Sequence, residues 1–89
     1  MIAERNVTVH NKQGLHLRVA AAVAETACKF QSDIQLIKEG TVVNAKSSIE
    51  ILTLVAEQGM ELILRAVGPD AREAVARLEG MFQSGFDQG

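Results

Sequence analysis

Polar and apolar positions alternate along AERNVTV, residues 3–9, which puts Val7 and Val9 on one face and predicts a first strand. The polar stretch HNKQG reads as a loop. From about Leu17 to Lys29 the period changes: Val19, Val23 and Ala27 recur at i, i+4 and i+8, with Ala20 and Ala24 beside them. A helix with so narrow a stripe of small residues can pack closely on a sheet. Alternation returns in SDIQLIKEGTVVNAK, a hairpin with Ile34 and Leu36 on one strand, a turn at Lys38-Glu39-Gly40, and Val43 with Ala45 on the next strand. In SSIEILTLVAEQG, Ile51, Leu54 and Val55 keep helical spacing, and Gly59 marks a C-terminal stop. MELILRAV is another strand with Leu62, Leu64 and Ala66 inward. GPDAREAVARLEGMFQ closes as a helix with a stripe of Ala71, Ala74, Val75, Leu78, Met81 and Phe82. Asp70 and Glu73 stand at capping-box spacing at its start.

The order β-α-β-β-α-β-α, with its direct hairpin, predicts the α+β class: an open, largely antiparallel sheet with helices on one face. Outward positions Thr8, Gln35 and Arg65 suit a solvated second face. With 89 residues the chain is expected to form a single domain over 1–89. Hydrophobic residues make up 47%, yet the only aromatics are three Phe, so the core must be aliphatic. A net charge of −2, no basic tract and little aromatic surface argue against nucleic acid as a partner. The single cysteine, Cys28, excludes an intramolecular disulfide and suits a reducing, cytoplasmic setting. The first residues lack the apolar run of a signal peptide, and no stretch approaches a membrane span. The glycine-containing tail SGFDQG is left unassigned.

GLHLRVAAAVAETA, Gly14 to Ala27, begins its helix in an unusual way. His16 occupies the position where a capping serine or aspartate is expected, and Arg18 follows in the first turn. A cation at a helix N-terminus opposes the macrodipole by about 0.3–1 kcal/mol, so stability alone would place Glu there. Misfits of this kind mark places where function overrides stability. The free N–H groups of a helix start form an anion site. Neutral imidazole is a nucleophile toward phosphorus. A phosphoryl group accepted by His16 would meet backbone donors and a guanidinium already in place. Gly14 permits an unusual backbone angle just before the site.

GLHLRVAAAV resembles the phosphohistidine signature Gly-(Ile/Leu)-His-x-Arg-Pro-Ala of the HPr phosphocarriers of the phosphoenolpyruvate-dependent sugar phosphotransferase system. NAKSSIEILTLVAEQG is similar to that family's second segment, and GPDAREAVARLEGMF to its closing helix. The resemblance covers nearly the whole chain. It implies an open-faced β-sandwich, a four-stranded antiparallel sheet with three helices on one side. His16 would be phosphorylated at Nδ1 and Arg18 would be the phosphate partner. The donor would be Enzyme I and the acceptor an Enzyme IIA component or a regulatory relative. Ser47 would match the serine phosphorylated by an HPr kinase. Such a chain is a monomeric carrier without turnover of its own, with no cofactor, no metal and no membrane insertion. The alternative is a regulatory HPr-like protein that acts by phosphorylation-dependent binding.

Several residues depart from the family pattern or carry a second reading. Val19 replaces the family proline, which predicts a more mobile helix start. Gln13 stands where Asn or Ser is frequent. Glu25, Cys28 and Glu50 change the charge of the partner-facing surface, and so the choice of partner. Ser47 equally fits the N-cap of a capping box with Glu50, and Ser48 is a competing acceptor. Leu17, Ile49 and Leu52 are expected to form an exposed apolar docking patch around His16. His10 is given no role, and His10, His16 and Cys28 have no recognised metal-ligand spacing.

Overall fold

The structure is a computed structural model that describes residues 1–87. Its elements run β1 (Ile2–Thr8), α1 (Leu17–Ala27), β2 (Asp33–Lys38), β3 (Thr41–Asn44), α2 (Ser48–Leu52), β4 (Glu61–Val67) and α3 (Ala71–Gln83), followed by one 3-10 turn, Gly85–Asp87. The four strands form one sheet in the order β1-β4-β2-β3. Every neighbouring pair is antiparallel, with Val7 opposite Leu62, Leu36 opposite Leu64, and Leu36 opposite Val43.

Side chains alternate across the sheet, so its two faces differ. Val7, Ile34, Leu36, Val43, Leu62 and Leu64 point to the covered face and are buried. The three helices pack there, α3 over β1 and β4, and α1 against α2 and α3. Alanine and valine dominate the inward stripe of α1, so the helix backbone can come close. On the open face Arg65 Nη1 donates to Gln35 Oε1 (3.3 Å) and Arg65 pairs with Glu4 (3.3 Å). This is the open-faced α+β sandwich expected from the order of the elements.

The β2–β3 turn needs positive φ at both central positions, as a two-residue hairpin does. Glu39 (φ 49°) and Gly40 (φ 86°) supply it.

Three local expectations are corrected. The second helix stops at Leu52 instead of running to Gly59. Thr53 Oγ1 donates back to the Glu50 carbonyl (2.6 Å), and Lys38 Nζ reaches across to the carbonyls of Leu54 and Val55 (3.1 Å each). These bonds satisfy the helix end early, so periodicity yields to tertiary contacts. Leu54 stays buried, but Val55 takes φ 50° and lies 67% exposed, outside the core stripe.

At the start of α3, Asp70 occupies the N-cap position but makes no side-chain cap. Its carboxylate instead accepts from the backbone N–H of Gln31 and Ser32 (2.9 Å each) and from Ser32 Oγ (2.5 Å). Those bonds hold its carboxyl below the ordinary value of 3.8, the Ser32 hydroxyl first and the Gln31 N–H next. Gly68 makes room for this clasp, since a Cβ there would lie 2.6 Å from Ser32 Oγ. The tail packs back at Phe86, whose ring meets Phe82 edge-on with centroids 5.0 Å apart. Gln88 and Gly89 of the unassigned tail lie outside the described residues.

Candidate functional site at the start of the first helix

The site begins where β1 leaves the sheet. Val9 still bonds across to the β4 side, its N–H to the Met60 carbonyl (2.9 Å) and its carbonyl to the Gly59 N–H (2.8 Å). The chain then turns sharply. The Gly14 N–H donates to the Asn11 carbonyl (3.0 Å), and Asn11 Nδ2 donates to the Gly14 carbonyl. That carbonyl also accepts the His16 backbone N–H (2.9 Å).

Gly14 has φ 69°, and a Cβ on it would sit 2.2 Å from the Ala56 carbonyl oxygen. The same oxygen accepts from the Leu15 N–H (3.0 Å). Only a glycine lets the two backbones meet this closely. The 10–16 loop therefore rests on the segment that follows α2. Gln58 Nε2 adds a bond to the His10 carbonyl (3.0 Å).

His16 emerges from this loop as the N-cap of α1, with extended backbone (φ −82°, ψ 177°) and no side-chain capping bond. Its carbonyl accepts from Ala20 N–H (2.9 Å), the first turn of the helix. His16 is half-buried, and Arg18, two residues further on, is exposed. Among the described residues no acceptor faces the N–H groups of Leu17, Arg18 or Val19, and no carboxylate pairs with Arg18. The first turn thus holds three unspent backbone donors and one unpaired guanidinium beside an imidazole. That arrangement can receive an anionic group.

Val19 is 1% exposed and its side chain belongs to the core. A proline in this position would lack the N–H that Val19 contributes to the helix start.

The remaining predicted residues sit on or beside α2. Ser47 is its N-cap and its Oγ accepts from Glu50 N–H (3.3 Å). The capping box is only half formed, because Glu50 Oε1 accepts from Asn44 N–H (3.0 Å) rather than from Ser47. Leu17 (66%) and Ile49 (76%) are exposed, while Leu52 is half-buried and packs partly on the core. They stand on adjoining helices, α1 and α2. A cleft lined by Asp33, Gln35, Val42, Asn44, Lys46 and Glu50 includes neither His16 nor Arg18. His16 lies outside this cleft, half-buried at the start of α1.

Among the described residues no group of three or more His, Cys, Asp or Glu could hold a metal ion. No helix there is long and apolar enough to cross a membrane. Cys28 lies at the C-cap of α1, exposed, with its Sγ 3.7 Å from the Lys46 carbonyl.

Sequence reasoning missed Asn11, which is fully buried. Its polarity argued for a surface loop. Its spacing three residues before Gly14 is the one local signal of a side-chain-stabilised turn.

Known proteins resemble this chain in sequence and fold. A family model described as "PTS HPr component phosphorylation site" matches residues 3–84. The phosphocarrier protein HPr of Xylella fastidiosa is 39% identical over 96% of both chains. The phosphocarrier protein NPr of Escherichia coli is 35% identical over 99% of both. A crystal structure of HPr from Thermoanaerobacter tengcongensis superposes with a TM-score of 0.93, at 39% identity, over 98% of each chain. This chain belongs to the HPr family of phosphotransferase-system phosphocarriers.

Proposed function

We propose that this chain carries a phosphoryl group on His16, accepting it from phosphoenolpyruvate-dependent Enzyme I and passing it to an Enzyme IIA component. In the loading step the Nδ1 lone pair attacks phosphorus. A P–N bond forms, and the bond to the donor breaks with its electron pair returning to the donor. Unloading is the reverse toward the acceptor. The observation that carries this reading is the first turn of α1. There the N–H groups of Leu17, Arg18 and Val19 and the guanidinium of Arg18 are all without partners beside His16. Such donors stabilise the charge on the transferred group without reorganising. Leu17, Ile49 and Leu52 would form the apolar part of the docking surface, and residues 1–89 would act as one cytoplasmic, monomeric domain. Incubation with Enzyme I and phosphoenolpyruvate should add one acid-labile phosphate, and His16→Ala should add none. Equal labelling of His16→Ala would overturn the assignment.

A second reading, regulation through phosphorylation-dependent binding, draws support from Ser47. It caps α2 with a long 3.3 Å bond, and the Glu50 carboxylate is engaged at Asn44. A phosphate on Ser47 would find the same helix-start N–H groups. Treatment with ATP and an HPr kinase should then label wild type and spare Ser47→Ala. Label retained in that variant would move the acceptor to Ser48 or elsewhere.

A further inference from the structure

We propose that Asn11 is a positioning residue for phosphoryl transfer, fixing the backbone of His16 through the Gly14 carbonyl that both residues hold. The inference rests on His16 as the phosphoryl acceptor. Asn11 is completely buried, yet its side chain meets only part of its hydrogen-bonding capacity. Nδ2 donates to the Gly14 carbonyl, while Oδ1 has no partner among the described residues. A buried amide with an unmet acceptor costs stability, and an apolar side chain of similar size would avoid that cost. The amide is therefore explained by what Nδ2 holds.

It holds a junction. The Gly14 carbonyl takes the Asn11 amide on one side and the His16 backbone N–H (2.9 Å) on the other. The backbone carbonyl of Asn11 takes the Gly14 N–H (3.0 Å). The turn is thus closed from both ends, and its exit is the residue whose side chain must attack phosphorus. Gly14 is glycine with φ 69°, so its own backbone offers little resistance to rotation. Without the amide, the Gly14–Leu15 peptide plane is held from outside the turn only by the Leu15 N–H bond to the Ala56 carbonyl, and the carbonyl that receives the His16 N–H is less firmly fixed. Transfer between two proteins depends on the imidazole being held in line, and small misplacements are costly in rate. Asn11 never reaches the surface, so it cannot act by touching a partner.

The test compares Asn11→Ala, which removes the donor, Asn11→Asp, which keeps the shape but only accepts at neutral pH, and Asn11→Ser, which retains a shorter donor. Phosphorylation by Enzyme I and phosphoenolpyruvate is followed at varied carrier concentration, at a temperature where circular dichroism shows each variant folded. The Ala and Asp variants should lose kcat by about tenfold or more with KM unchanged, and Ser should recover part of the loss. Hydrogen exchange of the His16 amide should be slow in wild type and faster in Ala and Asp. A folded Ala or Asp variant with wild-type kcat overturns the inference, as does a loss confined to KM. Should the variants not fold, an unprotected His16 amide in wild type overturns it equally. Labelling of His16→Ala would defeat the underlying acceptor assignment. Wild type labelled on His16, with Asn11→Ala equally fast, would defeat this inference alone.

Discussion

Replacing Gly14 by alanine should damage both stability and transfer, and the cost can be divided into parts. Alanine at φ 69° carries backbone strain of about 1–2 kcal/mol. The new Cβ would stand 2.2 Å from the Ala56 carbonyl oxygen, so one backbone must retreat by about 0.8 Å (3.0 − 2.2) to reach even 3.0 Å. Neither atom is the far end of a flexible side chain. Forced movement of this kind costs about 1–3 kcal/mol. It also pulls on the bond from Leu15 N–H to the same oxygen. Together these make roughly 2–5 kcal/mol, a large fraction of the 5–15 kcal/mol that stabilises a small domain.

Gly59→Ala is the matching control. Gly59 has φ 90°, but nothing lies within 4 Å of its would-be Cβ. It should lose only the strain, about 1–2 kcal/mol. Urea unfolding of the two variants isolates the contact with Ala56. At temperatures where both are folded, Gly14→Ala should also be phosphorylated more slowly, whereas Gly59→Ala should not. If Gly14→Ala unfolds no earlier than Gly59→Ala, the loop does not rest on Ala56 as described.

Other consequences can be checked separately. The Asp70 carboxyl titrates below 3.8 in the folded protein, so its contribution is complete above that value and is lost as pH falls through the lowered one. Wild type should lose urea resistance as pH falls below about 5, and Asp70→Asn should show a shallower slope; equal slopes would remove Asp70 from the acid response. Val19→Pro takes away an N–H that has no acceptor in the fold, so its stability cost should be confined to repacking one core side chain, about 1–3 kcal/mol. It should nevertheless shorten the lifetime of the phosphorylated form toward hydrolysis, and an unchanged lifetime would mean that the Val19 donor does not touch the phosphoryl group. Ile49→Glu, at a position 76% exposed, should slow transfer from Enzyme I without lowering Tm. An unchanged rate would exclude Ile49 from the docking surface.

The strands and the two long helices were legible because their periods are long and unbroken. Ile34 and Leu36, or Ala74, Val75 and Leu78, announce their buried faces in the sequence. His16 and Arg18 stand out in the sequence for the opposite reason, as residues that stability alone would not place at a helix start. The extent of α2 was not legible, because the Lys38 ammonium that satisfies the carbonyls of Leu54 and Val55 lies on another element. Asp70 was misassigned in the same way: locally it fits a cap, but its partners Gln31 and Ser32 are distant along the chain. Asn11 failed on burial, since nothing in a polar loop signals that one amide turns inward.

The pairing of β1 with β4 has a kinetic consequence. Ile2 lies opposite Val67, so β1 finds its partner 65 residues (67 − 2) further along the chain, after every other strand has passed. Contacts of such separation carry a large loop-closure cost and form slowly. The His16 loop leaves directly from β1, and its supports at Ala56, Gln58 and Met60 lie just before β4. The loop and the strand pair should therefore be completed in one late step. A chain that has formed its helices but not yet closed β1 onto β4 should accept no phosphoryl group. During refolding, competence for transfer should return with the slowest phase, so that only a finished molecule enters the relay.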